Sequence, residues 1–236
     1  TIRAAKRAGA DAIKLQTYTA DTITIDSKKD YFKINHGTAW DGQFLYDLYK
    51  DAALPWEWHQ KLFEVAKEEG LICFSSPFDF KAVDLLEELN SPIYKIASFE
   101  ITDIPLIEYA ASKGKPIIIS TGIAGVEDIE LAIETCKKVG NNDITILKCT
   151  SAYPAAPEDA NLLTIPDIAK RFGVKVGLSD HTMGTEAPAI AVALGATVIE
   201  KHFILDKKIG GADAHFSLDE VEFKQMVDAV RLTETM

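Results

Sequence analysis

The chain has 236 residues, a hydrophobic share of 47% and a formal net charge of -11, enough for one α/β barrel or two small domains around a packed core. The acidic balance argues against nucleic acid, whose binders carry a basic surface. No apolar run approaches the roughly 18–20 residues of a membrane span, so a membrane partner is not expected either. Three cysteines (Cys73, Cys136 and Cys149) make an odd set, two of them inside strand-like runs. They read as buried free thiols in a reducing compartment, the cytoplasm. Nothing resembles a linker, so residues 1–236 are read as one domain.

Residues 1–9 look like the tail of a helix feeding a strand over 11–17. The segment 18–55 is too long for an ordinary turn and holds many aromatics and charges. Connections of that length are lids, binding loops or interface elements, and a plain surface insertion fits as well. Helix and strand then alternate: helix 56–69, strand 71–78, helix 80–89, strand 92–98, helix 104–113, strand 116–121, helix 126–139, strand 144–150, helix 161–172, strand 174–180, helix 185–194, strand 197–205. A last helix begins near residue 218. Gly70, Gly114, Gly140, Gly173 and Gly195 stand at helix-to-strand junctions, where a C-cap is wanted. This alternation predicts parallel βα units and a (β/α)8 TIM barrel. Only seven strands are found, so the first strand is expected upstream of residue 1 and the chain is expected to be a barrel fragment.

The chemistry clusters where the strands end. The runs close at Lys14–Gln16, Ser75–Ser76, Lys95–Ser98–Glu100, Ser120–Thr121, Lys148–Thr150–Ser151, Ser179–Asp180–His181 and Glu200–Lys201–His202. In a barrel those ends open onto one face, where active sites are built. His181 and His202 on neighbouring strands are candidates for one divalent ion; the plainer reading is two structural histidines. His36 and His59 read as solvated, and His215 is left unassigned. Lys14, Lys95, Lys148 and Lys201 predict a local cationic pocket, and the hydroxyls of Ser98, Ser120, Thr121, Thr150, Ser151 and Ser179 suit a phosphate. Helix capping is the bland alternative for those hydroxyls. Glu100 and Glu200 are candidates for acid/base work, or Glu200 for a salt bridge to a barrel lysine.

The motifs Lys14-Leu-Gln-Thr, Phe74-Ser-Ser-Pro-Phe, Tyr94-Lys-Ile-Ala-Ser-Phe-Glu, Ser120-Thr-Gly, Lys148-Cys-Thr-Ser-Ala-Tyr-Pro, Gly177-Leu-Ser-Asp-His and Glu200-Lys-His, in this order, resemble the sialic acid synthase family. Within it, residues 74–78, 98–101 and 210–217 are most similar to the pseudaminic acid synthase branch, with N-acetylneuraminate and legionaminic acid synthases next. The resemblance implies condensation of phosphoenolpyruvate with an open-chain N-acetylated amino sugar, with release of phosphate. It implies that His181 and His202 hold Mn or Mg. Lys14, Lys95, Ser98, Ser120, Ser151 and Ser179 would bind phosphoenolpyruvate, Gln16, Glu100, Tyr153 and Asp213 would face the sugar, and Ser75 would join the substrate contacts. Glu100, Lys95, Tyr153 and His202 are its implied catalytic residues. The sugar expected is a 2,4-diacetamido-2,4,6-trideoxy hexose, with Phe99 and Phe216 against its less polar groups. A homodimer and a downstream antifreeze-like domain, reaching over the partner's site, are also implied. The rivals are a Schiff-base aldolase using Lys95 or Lys148, and a non-catalytic barrel that binds a sugar phosphate.

Overall fold

A computed structural model of the chain describes residues 1–35, 37–38 and 40–236; His36 and Ala39 lie outside the described residues. Helix α1 (Ile2–Arg7) leads to strand β1 (Ala12–Thr17). Then come α2 (Ala20–Ile23), α3 (Leu45–Ala52), α4 (His59–Glu68), β2 (Ile72–Pro77), α5 (Phe80–Glu88), β3 (Tyr94–Ile96) and α6 (Ile104–Ala111). The chain continues through β4 (Ile117–Ser120), α7 (Val126–Lys138), β5 (Ile144–Cys149), α8 (Thr164–Phe172), β6 (Lys175–Asp180), α9 (Glu186–Ala193), β7 (Val198–Lys201) and α10 (Glu220–Glu234).

Local chemistry sets the boundaries. Asp79 caps α5 by accepting from the Ala82 N–H, and Asp103 caps α6 by accepting from that of Leu106. Asp219 accepts from the N–H groups of Val221 and Glu222 while Glu222 accepts from that of Asp219. That capping box starts α10 at Glu220 rather than near 218. The expected strand 92–98 is shorter, because Ser98 opens a 3-10 turn, Ser98–Thr102, that carries Glu100. The last strand stops at Lys201, and Phe203 pairs instead with Leu218.

The seven strands are parallel and lie in sequence order, β1 to β7. Their pairing assigns every side chain to one of two faces. Lys14 pairs with Phe74, Gln16 with Ser76, Lys95 with Ile118, Ser120 with Leu147, Cys149 with Ser179, and Ser179 with Glu200. These residues form the inner face, because paired residues of a sheet share a side and the side alternates along each strand. Tyr94, Ile96, Ile117, Ile119, Ile144, Ile146, Val176 and Leu178 point outward and form the main core with helices α5 to α9. The inner apolar cluster is small: Phe74, Ile118 and Leu147, flanked by Ala12, Ile93 and Val198. At Gly177 an added Cβ would lie 2.3 Å from the Val198 carbonyl oxygen, so this inner position needs hydrogen where β6 meets β7.

Among the described residues no strand pairs with the outer edge of β1 or of β7. Both edge strands line one cavity of about 690 Å³ together with Ile118 of the central strand and Val227 and Val230 of α10. The sheet is therefore curled, with a cleft between β1 and β7. No helix is long and apolar enough to cross a membrane, among the described residues. Cys73, Cys136 and Cys149 are free and buried, as expected.

Candidate active site

The inner face becomes polar towards the strand ends, and Glu200 is its centre. Its Oε1 lies 3.2 Å from Lys14 Nζ and 3.5 Å from Lys95 Nζ, and it accepts a 3.0 Å hydrogen bond from Ser179. Lys95 also donates to Ser120 Oγ at 2.8 Å. Burial acts to raise the Glu200 carboxyl, but Lys14, Lys95 and Ser179 hold it well below the usual carboxylate range. Burial lowers the Lys95 ammonium to about 8, opposed mainly by Glu200. A carboxylate between two inward lysines, with hydroxyls beside it, leaves a positive site of limited net charge for an anion.

Beside this cluster, Ser98 and Ser151 hydroxyls are 2.7 Å apart. Gly122 closes over them: an added Cβ would lie 1.9 Å from Ser151 Oγ and 2.8 Å from Ser98 Oγ. Glu100 follows in the same 3-10 turn as Ser98. Burial raises its carboxyl to about 7, and its Oε2 is buried without a hydrogen-bond partner. Ser76 Oγ is likewise buried and unpartnered on the inner face. Unsatisfied buried polar atoms are uncommon, and at a site they mark where substrate atoms bond.

The two histidines meet beside these groups, with Cys149 Sγ 3.9 Å from Ser151 Oγ and 4.0 Å from His181 Nδ1. Their ring centroids are 5.3 Å apart, and the Tyr153 ring lies tilted against that of His181 with centroids 4.3 Å apart. His181 Nδ1 lies 2.8 Å from the Thr150 carbonyl, which only accepts, so Nδ1 is the donor and Nε2 keeps its lone pair. Burial lowers the His181 imidazole to about 4, which keeps it neutral. His202 Nδ1 lies 3.2 Å from Asp213 Oδ2, and although burial alone would raise the Asp213 carboxyl, the His202 hydrogen bond brings it below its ordinary value. Such outer partners fix the tautomer of metal-binding imidazoles. The pair therefore fits one divalent ion through its Nε2 atoms. Among the described residues no group of three or more His, Cys, Asp or Glu is placed to hold a metal, so water and substrate oxygens would complete the shell.

Several expected residues lie elsewhere. Ser75 points outward, where it bonds Thr17 Oγ1 at 2.7 Å, and Ser76 takes the inner position. Lys148 and Lys201 are also on the outer face, so the cationic pocket has two strand lysines rather than four. Lys148 donates to Thr150 Oγ1 and the Asp159 carbonyl. Lys201 is paired with Asp180 at 2.5 Å, both almost fully buried, which removes Asp180 from the metal surroundings. His59 is fully buried rather than solvated, 2.8 Å from Thr17 Oγ1. Phe216 is buried behind Tyr153 and His202, and Phe99 is exposed at the rim. Cys149, not singled out as a site residue, faces inward with Sγ 3.9 Å from Ser151 Oγ. Strand alternation, anchored on Lys14 or Lys95, is the signal that assigns Ser76 and Cys149 to this face.

The NeuB family profile matches residues 1–236. The chain belongs to the NeuB family. It is 53% identical over 231 residues to a pseudaminic acid synthase of Helicobacter pylori, covering 98% of this chain and 68% of that protein. To a pseudaminic acid synthase of Campylobacter jejuni serotype O:23/36 it is 52% identical over 235 residues, covering 100% and 68%. The crystal structure of an N-acetylneuraminic acid synthetase from Leptospira borgpetersenii, in complex with citrate, superposes with a TM-score of 0.86 at 32% identity, covering 99% of this chain and 76% of that one. Family membership gives the inner-face cluster a chemical context, that of a sialic acid synthase.

Proposed function

We propose that the chain forms the catalytic barrel of a phosphoenolpyruvate-condensing synthase acting on a 2,4-diacetamido-2,4,6-trideoxy hexose and giving pseudaminic acid. The observation that carries this reading is that two kinds of group adjoin at the strand ends. Lys14, Lys95 and Ser120, with Ser98 and Ser151, suit the phosphate and carboxylate of phosphoenolpyruvate. Tyr153, Asp213 and the histidine pair suit the sugar's carbonyl end. The two curated relatives point to the pseudaminic acid product.

In this reading carbon 3 of phosphoenolpyruvate attacks the open-chain aldehyde. The aldehyde oxygen takes up a proton, water adds at carbon 2 and loses one, and C–O cleavage releases inorganic phosphate and leaves the keto group. Lys14 and Lys95 hold the anion throughout, fixed charges that need no reorganisation as charge redistributes. Glu100, protonated below about pH 7, stands as the proton source for the aldehyde oxygen. A divalent ion, Mn or Mg, held by Nε2 of His181 and His202, would supply polarisation of that aldehyde. The free thiols agree with a cytoplasmic setting. The exposed Phe99, Ile123 and Met183 agree with a homodimer whose second subunit covers the mouth.

The test is phosphate release by the complete gene product with phosphoenolpyruvate and a panel of 2-acetamido and 2,4-diacetamido hexoses. Lys95→Ala should raise KM for phosphoenolpyruvate much more than KM for the sugar. Equal or better efficiency with N-acetylmannosamine would refute the sugar assignment. Borohydride trapping of a keto acid on Lys95 would replace the whole reading with an aldolase.

A further inference from the structure

The long connection between β1 and β2 is not a simple surface insertion. Lys33 and Phe44 form an antiparallel bridge, Ile34 N–H donates to Gln43 O at 2.9 Å, and Gly42 N–H donates to Ile34 O at 2.8 Å. These bonds close the base of a hairpin. Near its tip, Asp41 accepts from the N–H groups of Gly37 and Thr38 and from the Thr38 hydroxyl. The hairpin presents Trp40 to the segment that follows β7. There the indole Nε1–H donates at 2.9 Å to the carbonyl of Ala212, 172 residues away and next to Asp213.

Trp40 joins a graded series of rings. Its centroid is 6.2 Å from Tyr153, 6.1 Å from His215 and 6.3 Å from Phe216. Tyr153 in turn lies 4.3 Å from His181 and 6.2 Å from His202. Trp40 is only half-buried, unlike Phe216, so it keeps exposed area at the mouth. Its one polar atom is already bonded, which fixes the plane of the ring and leaves an apolar surface.

We propose that Trp40 is a specificity-determining wall of the sugar subsite, favouring hexoses whose substituents are methyl-bearing over those with free hydroxyls. The proposal rests on the function proposed above, since it concerns the sugar of that reaction. A flat apolar wall favours a 6-deoxy methyl or an acetamido methyl, and it offers no partner to a hydroxyl that leaves water. The bond to Ala212 gives the wall its position, and it ties the hairpin to the segment that carries Asp213.

The experiment compares Trp40→Ala and Trp40→Phe with the wild-type complete gene product. Each is assayed by phosphate release with phosphoenolpyruvate and either the 2,4-diacetamido-2,4,6-trideoxy hexose or N-acetylmannosamine. Trp40→Ala should lower kcat/KM for the 2,4-diacetamido-2,4,6-trideoxy hexose by about tenfold, the scale of one lost aromatic contact. It should change kcat/KM for N-acetylmannosamine, and KM for phosphoenolpyruvate, by less than about threefold, under 1 kcal/mol. Trp40→Phe keeps a ring but loses the Ala212 bond, and should fall between. An equal loss for both sugars, or an unchanged preference in either folded variant, overturns the wall. If Trp40→Ala fails to fold, Trp40→Phe alone decides by the same ratio. A wild-type enzyme that releases no phosphate with either sugar refutes the reaction itself and takes the wall with it.

Discussion

Replacing Lys201 by methionine tests the assignment of inner and outer faces through stability. Lys201 and Asp180 side chains are 1% and 2% exposed, and Lys201 Nζ lies 2.5 Å from Asp180 Oδ2. Lys201 also donates to the Thr182 carbonyl, while Asp180 Oδ1 accepts from Thr182 N–H at 2.9 Å and from its hydroxyl at 2.8 Å. Lys201→Met keeps the length of the side chain but leaves a buried carboxylate with two neutral donors and no cation bonded to it, Lys148 acting only from a distance. Removing one partner of a buried pair costs about 3–5 kcal/mol. At about 2–4 °C per kcal/mol for a domain of this size, the melting temperature should fall by about 10 °C. Adding Asp180→Asn removes the stranded charge and keeps an oxygen for Thr182, so the double variant should recover most of the loss. Urea denaturation of the four proteins gives the coupling energy directly. A Lys201→Met cost below about 1 kcal/mol would match an exposed pair and show that Asp180 reaches solvent, which would refute the outward placement.

Gly122→Ala pushes a methyl group into the Ser98–Ser151 pair and should raise KM for phosphoenolpyruvate by about tenfold or more, with the melting temperature little changed; an unaltered KM would remove these hydroxyls from the anion site. The Glu100 carboxyl is raised from 4.5 to about 7, so the folded state binds the extra proton and its contribution to stability is lost as pH rises through that window. Glu100→Gln should abolish that decline, and denaturation midpoints at pH 5 and pH 8 that shift in parallel for both proteins would disprove it. His181→Ala and His202→Ala should each remove Mn binding measured by electron paramagnetic resonance while the circular dichroism spectrum stays native. Retained binding in either variant would leave that histidine a structural residue.

The βα alternation is legible because the strands are short, largely apolar runs and helices α4 to α10 each end beside a glycine or open on an aspartate cap. The site was legible only as a set of strand ends. Lys14, Lys95, Ser120, Ser179 and Glu200 share one face, since each sits at an inward position of its strand, and His202 follows just past the end of β7. Ser75, Lys148, Asp180 and Lys201 group with them in the sequence but face outward, because proximity to a strand end says nothing about which side a residue takes. One residue of register decides it, and a run such as Ser75–Ser76 is polar on both sides. Burial of His59 was hidden for a related reason: the partners of its ring, Thr17 and Pro55, come from other elements. Trp40 was the least legible, as its anchor lies 172 residues away.

The two histidines stand on unequal supports. His181 is 5% exposed, and its Nδ1 bonds a backbone carbonyl, that of Thr150, just past a strand buried at every position. His202 leans instead on a side chain, the Asp213 carboxylate, which is 43% exposed. A backbone partner moves only with its strand, whereas a side-chain carboxylate can change rotamer. Any ligand that draws the two imidazoles together would do its work by moving His202, with Asp213 turning after it. One ligand would be an anchor and the other a spring.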